Sequence, residues 1–399
     1  MTERQTEGSG ATVSVVQSAA DQGNTVMEAK SRQFRVRETN PHTDPRWESF
    51  VMRHPAASIY HHPAWLAALE REYKQQSVCL ICEDEGGELH GLFPLMYTRG
   101  LPLSKGRPLS GVRLSSLPRT PLAGPLTSDP HVTTLLLQEA VRRVSEQPNV
   151  RLQIKPQNRE LGGLVDGVVE KPWRFTYLLR LHETPGEPLR FSNSKHRTRI
   201  KWSISRALAN GLGARLAETE DDLKGWYSVY LESMRRNVVP ARSYRFFRAL
   251  WQSMGPKGLM RVWLVEHHTD AGTTIVGGNV YFRLGQTLSY AFNGARTSAL
   301  PLRPNDILLW QAIHDAHQEG CRVVDLGEVP EGDESLAQYK AKWGAEPVRL
   351  YRYYYPGFPD AEHSSEGNDN NLAGMAKAVW RHLPLGVTSW IGDRIYSRL

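Results

Sequence analysis

Between Gly320 and Tyr355, two carboxylates, a tyrosine and a lysine follow one another with almost no spacer, in the run DLGEVPEGDESLAQYKAKWGAEPVRLYRYYY. Asp325 and Glu328 lie among and just beyond the apolar residues Val323, Val324 and Leu326, which read as a buried strand leaving a helix C-cap at Gly320. Carboxylates are rarely buried without a partner, so each is a candidate proton acceptor or an anchor for the strand end. Asp333-Glu334-Ser335 then offers acidic N-terminal chemistry for a short helix through Lys342. On that helix Leu336, Tyr339 and Trp343 recur at three and four residues and are predicted to face the core. Lys340 falls at the edge of this stripe, where its ammonium can snorkel or reach into a cleft.

These groups need a scaffold, and a chain of 399 residues with 40% hydrophobic content has ample core for two or three domains. No apolar run approaches the ~20 residues of a membrane-spanning helix, and the first residues lack a basic flank with an apolar segment, so a cytoplasmic protein is predicted. Three cysteines, Cys79, Cys82 and Cys321, cannot make a disulfide framework. Cys79 and Cys82 lie inside SVCLIC, which reads as a strand rather than the helix start a redox pair wants. The formal charge of +7 and pI of about 9.2 suit an anionic substrate, a nucleic acid or a membrane surface.

Residues 1–31 are polar without apolar period and read as a disordered tail. A strand at Phe34-Arg35-Val36 follows, then Asp44-Pro45 as N-cap and first helical position, and a second helix opened by Pro63 with Trp65, Leu66, Leu69 and Tyr73 on one face. SVCLICEDEGGELHGLFPLMYTRG is a hairpin around Glu85-Gly86-Gly87. A short strand broken by Pro118, Pro121 and Pro125, a helix over 133–144 and a strand over 150–155 complete the first half. The second half repeats the order. After a strand at 173–181 and a basic helix ending at Asn210-Gly211 come helices at 221–236 and 244–254, a hairpin around Asp270-Ala271-Gly272, a strand at 288–292, a helix at 305–318 and the strand at 321–326. The pattern predicts two similar α/β (α+β) units in tandem, 32–182 and 183–356, with a linker at 357–371 and a tail at 372–399.

The order is one that several folds share, but the residues themselves resemble a family. HHPAW at His61 to Trp65, GLFPLMY, RLSSLPRTPLAGPL, SRALANGL, TIVGGNVYF, SYAFNGA, VVDLGEV and LAQYKAKWGAEP together resemble the Fem-type branch of the GNAT superfamily. Its members include the non-ribosomal peptidyl transferases that build peptidoglycan cross-bridges, and FemAB-like proteins found with exopolysaccharide genes. The resemblance implies two tandem GNAT-like domains with mixed central sheets and acyl transfer from an activated donor to an amine. It also implies an aminoacyl-tRNA donor and an acceptor amino group on a peptidoglycan stem peptide or an exopolysaccharide, as a nucleotide-sugar or lipid-linked precursor. Lys340 matches the lysine of the family's aromatic-Lys-x-x-aromatic-Gly motif, here Tyr339 to Gly344, with Tyr339 where Phe is more usual. The resemblance implies that Lys340 stabilises charge at the acyl centre or positions the donor, with Tyr339 beside it.

Amine attack on an acyl ester makes a tetrahedral oxyanion that a fixed cation stabilises by several kcal/mol, and the amine must lose a proton, a role open to Asp325, Glu328 or a water chain. A donor held as acyl-CoA or on an acyl carrier is the alternative. GNAT acetyltransferases cradle the CoA pyrophosphate in a glycine-rich turn before a helix, and the corresponding connection here, NGARTSALPLRPND, lacks that pattern. Arg303 in that loop can still meet a phosphate, and Arg199 is the candidate phosphate contact in the basic stretch Lys195 to Lys201, which otherwise reads as a solvated helix face. Tyr290 and Asn293, at a strand exit, are acceptor-site candidates, with core packing and turn formation as their bland readings. His61 and Trp65 are further substrate candidates, though His61 can equally cap the helix at Pro63.

The tail carries Leu372, Met375, Val379, Trp380, Val387, Trp390 and Ile395 at near-helical spacing among Lys377, Arg381, Arg394 and Arg398. This suits either a peripheral contact with the inner membrane face or packing on the protein body. A non-catalytic scaffold of the envelope polysaccharide machinery, acting through that tail, is the other functional reading. No bound cofactor and no metal are expected.

Overall fold

Proline and a short capping side chain open the first helices. Asp44 accepts from the Arg46 amide at the start of α1 (Pro45–Arg53), and His62 accepts from the Ala64 amide at the start of α2 (Pro63–Tyr73). The computed structural model describes residues 33–99, 111–157, 161–182, 184–357 and 378–396. The expected N-terminal tail, nearly all of the expected linker and the first residues of the expected C-terminal tail lie outside them. The described residues from Phe34 onward form one unit.

The strands of the first half are β1 (Phe34–Glu38), β2 (Ser77–Asp84), β3 (Leu89–Thr98), β4 (Val112–Ser115), β5 (Val150–Ile154) and β6 (Val169–Arg180), with α3 (Pro130–Ser145) between β4 and β5. The second half runs α4 (Ser194–Ala209), β7 (Leu212–Leu216), α5 (Glu220–Arg236), α6 (Tyr244–Met254), β8 (Met260–Thr269), β9 (Gly272–Leu284), β10 (Thr287–Ala295), α7 (Pro304–Gln318), β11 (Val323–Val329), α8 (Glu334–Ala341) and β12 (Glu346–Tyr355). A last helix, α9, covers Leu385–Tyr396. All twelve described strands join one mixed sheet in the order β1-β2-β3-β4-β5-β12-β6-β11-β10-β9-β8-β7. In each half an antiparallel hairpin precedes a parallel pair joined by a helix: β2–β3 before β4-α3-β5, and β8–β9 before β10-α7-β11. β6 and β12, the strands that follow these units, pair with each other at the centre, so β6 lies beside β11 and β12 beside β5.

Strand alternation sorts the core into faces. Met260, Val262 and Leu264 of β8 join a cluster with Trp47, Trp65, Trp226, Phe246 and Phe247, so that α1, α2, α5 and α6 share one continuous core across both halves. Trp263 and Val265 point the other way, to the core of α4, α7 and Trp343. Cys79 and Cys82 obey the same rule, falling into two different clusters on β2, where burial raises both thiols, Cys82 to about 11. This is the structural role expected for them.

The tail's helix α9 packs on the protein body. Ser389 Oγ and Tyr227 Oη lie 3.0 Å apart, Tyr396 donates to Pro240 O at 3.1 Å, and a Cβ added at Gly392 would stand 2.1 Å from Ala241 O. Val387 and Trp390 remain exposed. Gly392→Val should therefore release α9 and lower stability by about 2 kcal/mol, a backbone clash that no rotamer relieves. A fall in Tm together with faster proteolysis of the C-terminal helix would confirm this, and an unchanged Tm would refute the docking.

Candidate active site

The site begins where two strands part. β10 and β11 pair in parallel only over Thr287–Ser289 and Val323–Asp325. Beyond that point β10 is irregular between Tyr290 and Phe292, and β11 bulges between Asp325 and Glu328. Gly327 makes the β11 bulge with φ of 80°, and a Cβ there would lie 3.3 Å from Tyr290 O. The apolar run predicts a strand that ends at Leu326. The strand instead runs on to Val329 and carries Glu328 within it.

α8 sends Lys340 beneath the bulge. Its Nζ donates to Gly327 O at 2.8 Å and to Glu328 O at 3.0 Å, and the residue is 4% exposed. Lys340 is thus the buried residue of α8 itself, while the predicted stripe of Leu336, Tyr339 and Trp343 does face the core, the first two half-buried against it and Trp343 fully buried in it. Burial pushes the ammonium down to about 8, against the opposing pull of Asp325, Glu328 and Asp333.

On one side of the parting strands is a chamber of about 200 Å³, lined among others by Tyr60, Trp65, Arg242, Tyr290, Asp325 and Glu328. Asp325 accepts hydrogen bonds from Thr176 Oγ1 at 2.6 Å and from the Gly327 amide at 2.8 Å. Burial still raises its carboxyl above the ordinary value. Glu328 is already engaged, by Arg352 at 3.0 Å, Arg174 at 3.5 Å and Trp173 Nε1 at 3.3 Å. Of the two carboxylates, Asp325 is the one without a cationic hydrogen-bond partner, and so the better proton acceptor.

A groove of about 520 Å³ lies against α4, α7 and α8, lined among others by Arg199, Trp202, Arg303, Asp306, Tyr339 and Lys342. Tyr339 Oη donates to Asn305 O at 3.2 Å, and Lys342 Nζ lies 4.4 Å from the centre of the Tyr339 ring. In the first turn of α7 the buried Asp306 carboxylate accepts from Ser203 Oγ and Lys342 Nζ, both at 2.6 Å. The positive end of that helix is thereby matched by a carboxylate belonging to the chain.

The structure therefore brings Asp325, Glu328, Tyr290 and Trp65 to the chamber, and Arg199, Arg303 and Tyr339 to the groove. Two candidates lie elsewhere. His61 sits buried with its Nδ1 near Ser58 and its Nε2 3.0 Å from Gly124 O, its pKa pushed down to about 4 by burial. The neighbouring His62, rather than His61, caps α2. Asn293 is spent on a network of amides, donating to Asn279 Oδ1 at 2.6 Å and Asn305 Oδ1 at 3.1 Å, which ties β9, β10 and α7 together. Sequence reading missed Tyr60, Thr176 and Arg242. The Arg242 guanidinium donates to Tyr73 Oη and Arg119 O across the two halves.

Parting parallel strands followed by a helix, with a chamber on one side and a groove on the other, give the second half a GNAT-like fold. Residues 194–341 match the family model described as an acetyltransferase (GNAT) domain. FemX shares the fold with a TM-score of 0.61 at 12% identity, over 80% of this chain and 97% of its own. These likenesses show a GNAT-like fold, the fold expected from the residues. The C-terminal domain of a protein described as a lysylphosphatidylglycerol synthetase from Agrobacterium fabrum gives a TM-score of 0.55 at 15% identity, over 86% of this chain and 97% of its own. L-PGS from Bacillus licheniformis gives 0.51 at 13% identity, over 89% and 98%. No curated protein matches the sequence. No described helix is long and apolar enough to cross a membrane.

Proposed function

We propose that the protein transfers an aminoacyl group from an activated ester to an amino group of an anionic cell-envelope precursor. The observation that carries this reading is Asp325, a carboxylate held by Thr176 and Gly327 where β10 and β11 part, facing a chamber that admits an amine. The donor's acyl end enters between the strands from the groove side, where Arg199 and Arg303 offer positive charge. Asp325 takes the proton from the attacking amine as the C–N bond forms, the ester C–O bond breaks, and that proton passes to the leaving hydroxyl; the Lys340 ammonium, whose charge reaches Asp325, favours the negative charge that develops on the acyl oxygen.

Asp306 supports an aminoacyl-tRNA donor over acyl-CoA. A carboxylate buried in the first turn of α7 repels a pyrophosphate at the place where a helix N-terminus would otherwise attract one. The names of two fold neighbours, lysylphosphatidylglycerol synthetases by description or abbreviation, fit aminoacyl chemistry at an anionic acceptor. The outward Val379, Val387 and Trp390, with Arg394 stacked 4.8 Å from the Trp390 ring centre, support a peripheral contact with an anionic membrane that carries the acceptor. Transfer of labelled amino acid from charged tRNA to envelope precursors should be abolished by RNase. RNase-resistant transfer from acyl-CoA would sink the tRNA donor, and absence of transfer from either would sink the transferase reading.

A further inference from the structure

Beside the chamber, on the side of the first half, lies a second cavity of about 350 Å³. It shares Arg119, Pro121 and Glu328 with the chamber lining, so the two spaces adjoin. We propose that this cavity is an anion site that receives the phosphoryl or diphosphoryl group of the amine acceptor.

Charge is the first argument. Arg113, Arg119, Lys155 and Arg352 line the cavity against a single carboxylate, Glu328, which Arg352 and Arg174 already share. Arg113, Lys155 and Arg352 are 7%, 6% and 4% exposed. Buried cations without counter-charge are strongly unfavourable, and a fold retains them where something anionic completes the site. Incomplete hydrogen bonding is the second argument. Arg113 Nε, Arg119 Nε and Arg119 Nη1 are buried with no partner, although guanidinium donors are among the groups most reliably satisfied in native cores. Lys155 Nζ and Arg352 Nη1 meanwhile make do with carbonyl oxygens of the Leu117–Pro121 turn.

That turn is the third argument. Leu117 and Arg119 both adopt left-handed backbone, at φ of 51° and 53°, a conformation that is unfavourable for a side-chain-bearing residue and recurs at ligand sites. It places the Arg119 guanidinium over the Tyr396 ring, 4.3 Å from its centre, with Tyr73 at 5.2 Å, which fixes its direction. Four cations arranged around one space suit a tetrahedral, multiply charged group better than a planar carboxylate, which two coplanar donors satisfy. At the rim, Trp173 is 37% exposed and stacks near Arg352 and Arg174, offering a flat face to a ring carried by the phosphate. The assignment of the anion to the acceptor rests on the transfer reading above; anion binding in this cavity does not.

Calorimetric titration of the full chain with inorganic pyrophosphate should show saturable binding. Affinity should fall tenfold or more in Arg113→Gln and, as a second variant if that one folds poorly, in Arg119→Gln. It should survive Arg199→Gln in the groove. Uridine diphosphate or a short isoprenyl diphosphate that displaces pyrophosphate would tell a soluble from a lipid-linked acceptor. The proposal is overturned if pyrophosphate does not bind, or if binding is lost in Arg199→Gln and kept in Arg113→Gln and Arg119→Gln. Since no acyl donor is present, a positive result would stand even if the transfer assay failed.

Discussion

Asp325→Asn is expected to reduce transfer by about 10²- to 10³-fold while raising thermal stability at neutral pH. The first effect follows from removing the proton acceptor while keeping its shape, since an asparagine Oδ1 can still accept from Thr176 Oγ1 and the Gly327 amide. The second follows from linkage. Burial raises the Asp325 carboxyl above its unfolded value, so the protonated form is the one the fold favours. The stability this contributes is fully present below the unfolded pKa of about 3.9 and is lost as pH rises through the higher folded value. At pH 7 the wild type carries an ionised carboxylate that the asparagine variant lacks, and the gap between their Tm values should close as the pH is lowered toward 3. Wild-type kcat/KM should rise along an acid limb set by Asp325, and the residual rate of the variant should lack that limb. Full transfer by Asp325→Asn would remove Asp325 from the mechanism and return the role to Glu328 or to water.

How far this site could be read from the sequence depends on what each residue's neighbours are. Helices with local signals were legible. Tyr244–Met254 came out at its observed bounds because Ser243 caps it and its apolar period is unbroken, and the Pro45 and Pro63 starts announced themselves. Strands with bulges were cut short, since the irregularities in β10 and β11 interrupt the alternation that defines a strand in sequence, and the site lies at those irregularities. The same rule explains why Glu328 looked like a loop residue. Partners distant in sequence were illegible. Nothing local links Asp325 to Thr176 or Glu328 to Arg352, because β6 and β12 are brought to the middle of the sheet by long-range pairing. Two buried networks also masked themselves as surface chemistry. Asn293 reads as a turn residue and His61 as a cleft histidine, until Asn279, Asn305 and Gly124 are seen to use them up. The motif marks Lys340 as a helix-edge lysine reaching a cleft, whereas its first contacts are two carbonyls of β11.

That difference sets what Lys340→Met should do. The substitution leaves Gly327 O and Glu328 O without their donor, about 2 kcal/mol if water cannot replace it. It also removes an ammonium whose pKa is lowered from 10.5 to about 8, a burden on the folded state of about 3 kcal/mol at pH 7 at roughly 1.4 kcal/mol per unit. The two terms oppose each other and are of similar size, so the variant should fold with little change in Tm at neutral pH. Its pH dependence should differ. A depressed lysine makes the unfolded chain bind more protons than the native one between about pH 8 and 10.5, so wild-type stability should rise relative to the variant across that window. Transfer should nevertheless fall by about 10²-fold or more, because the methionine neither fixes the bulge that carries Asp325 and Glu328 nor supplies positive charge beside the acyl oxygen. The basic limb near pH 8 in the wild-type rate profile, where Lys340 loses its proton, should vanish with it. A variant that keeps wild-type turnover, or one that unfolds outright at pH 7, would show that the opposing terms have been weighed wrongly and that Lys340 serves the sheet alone.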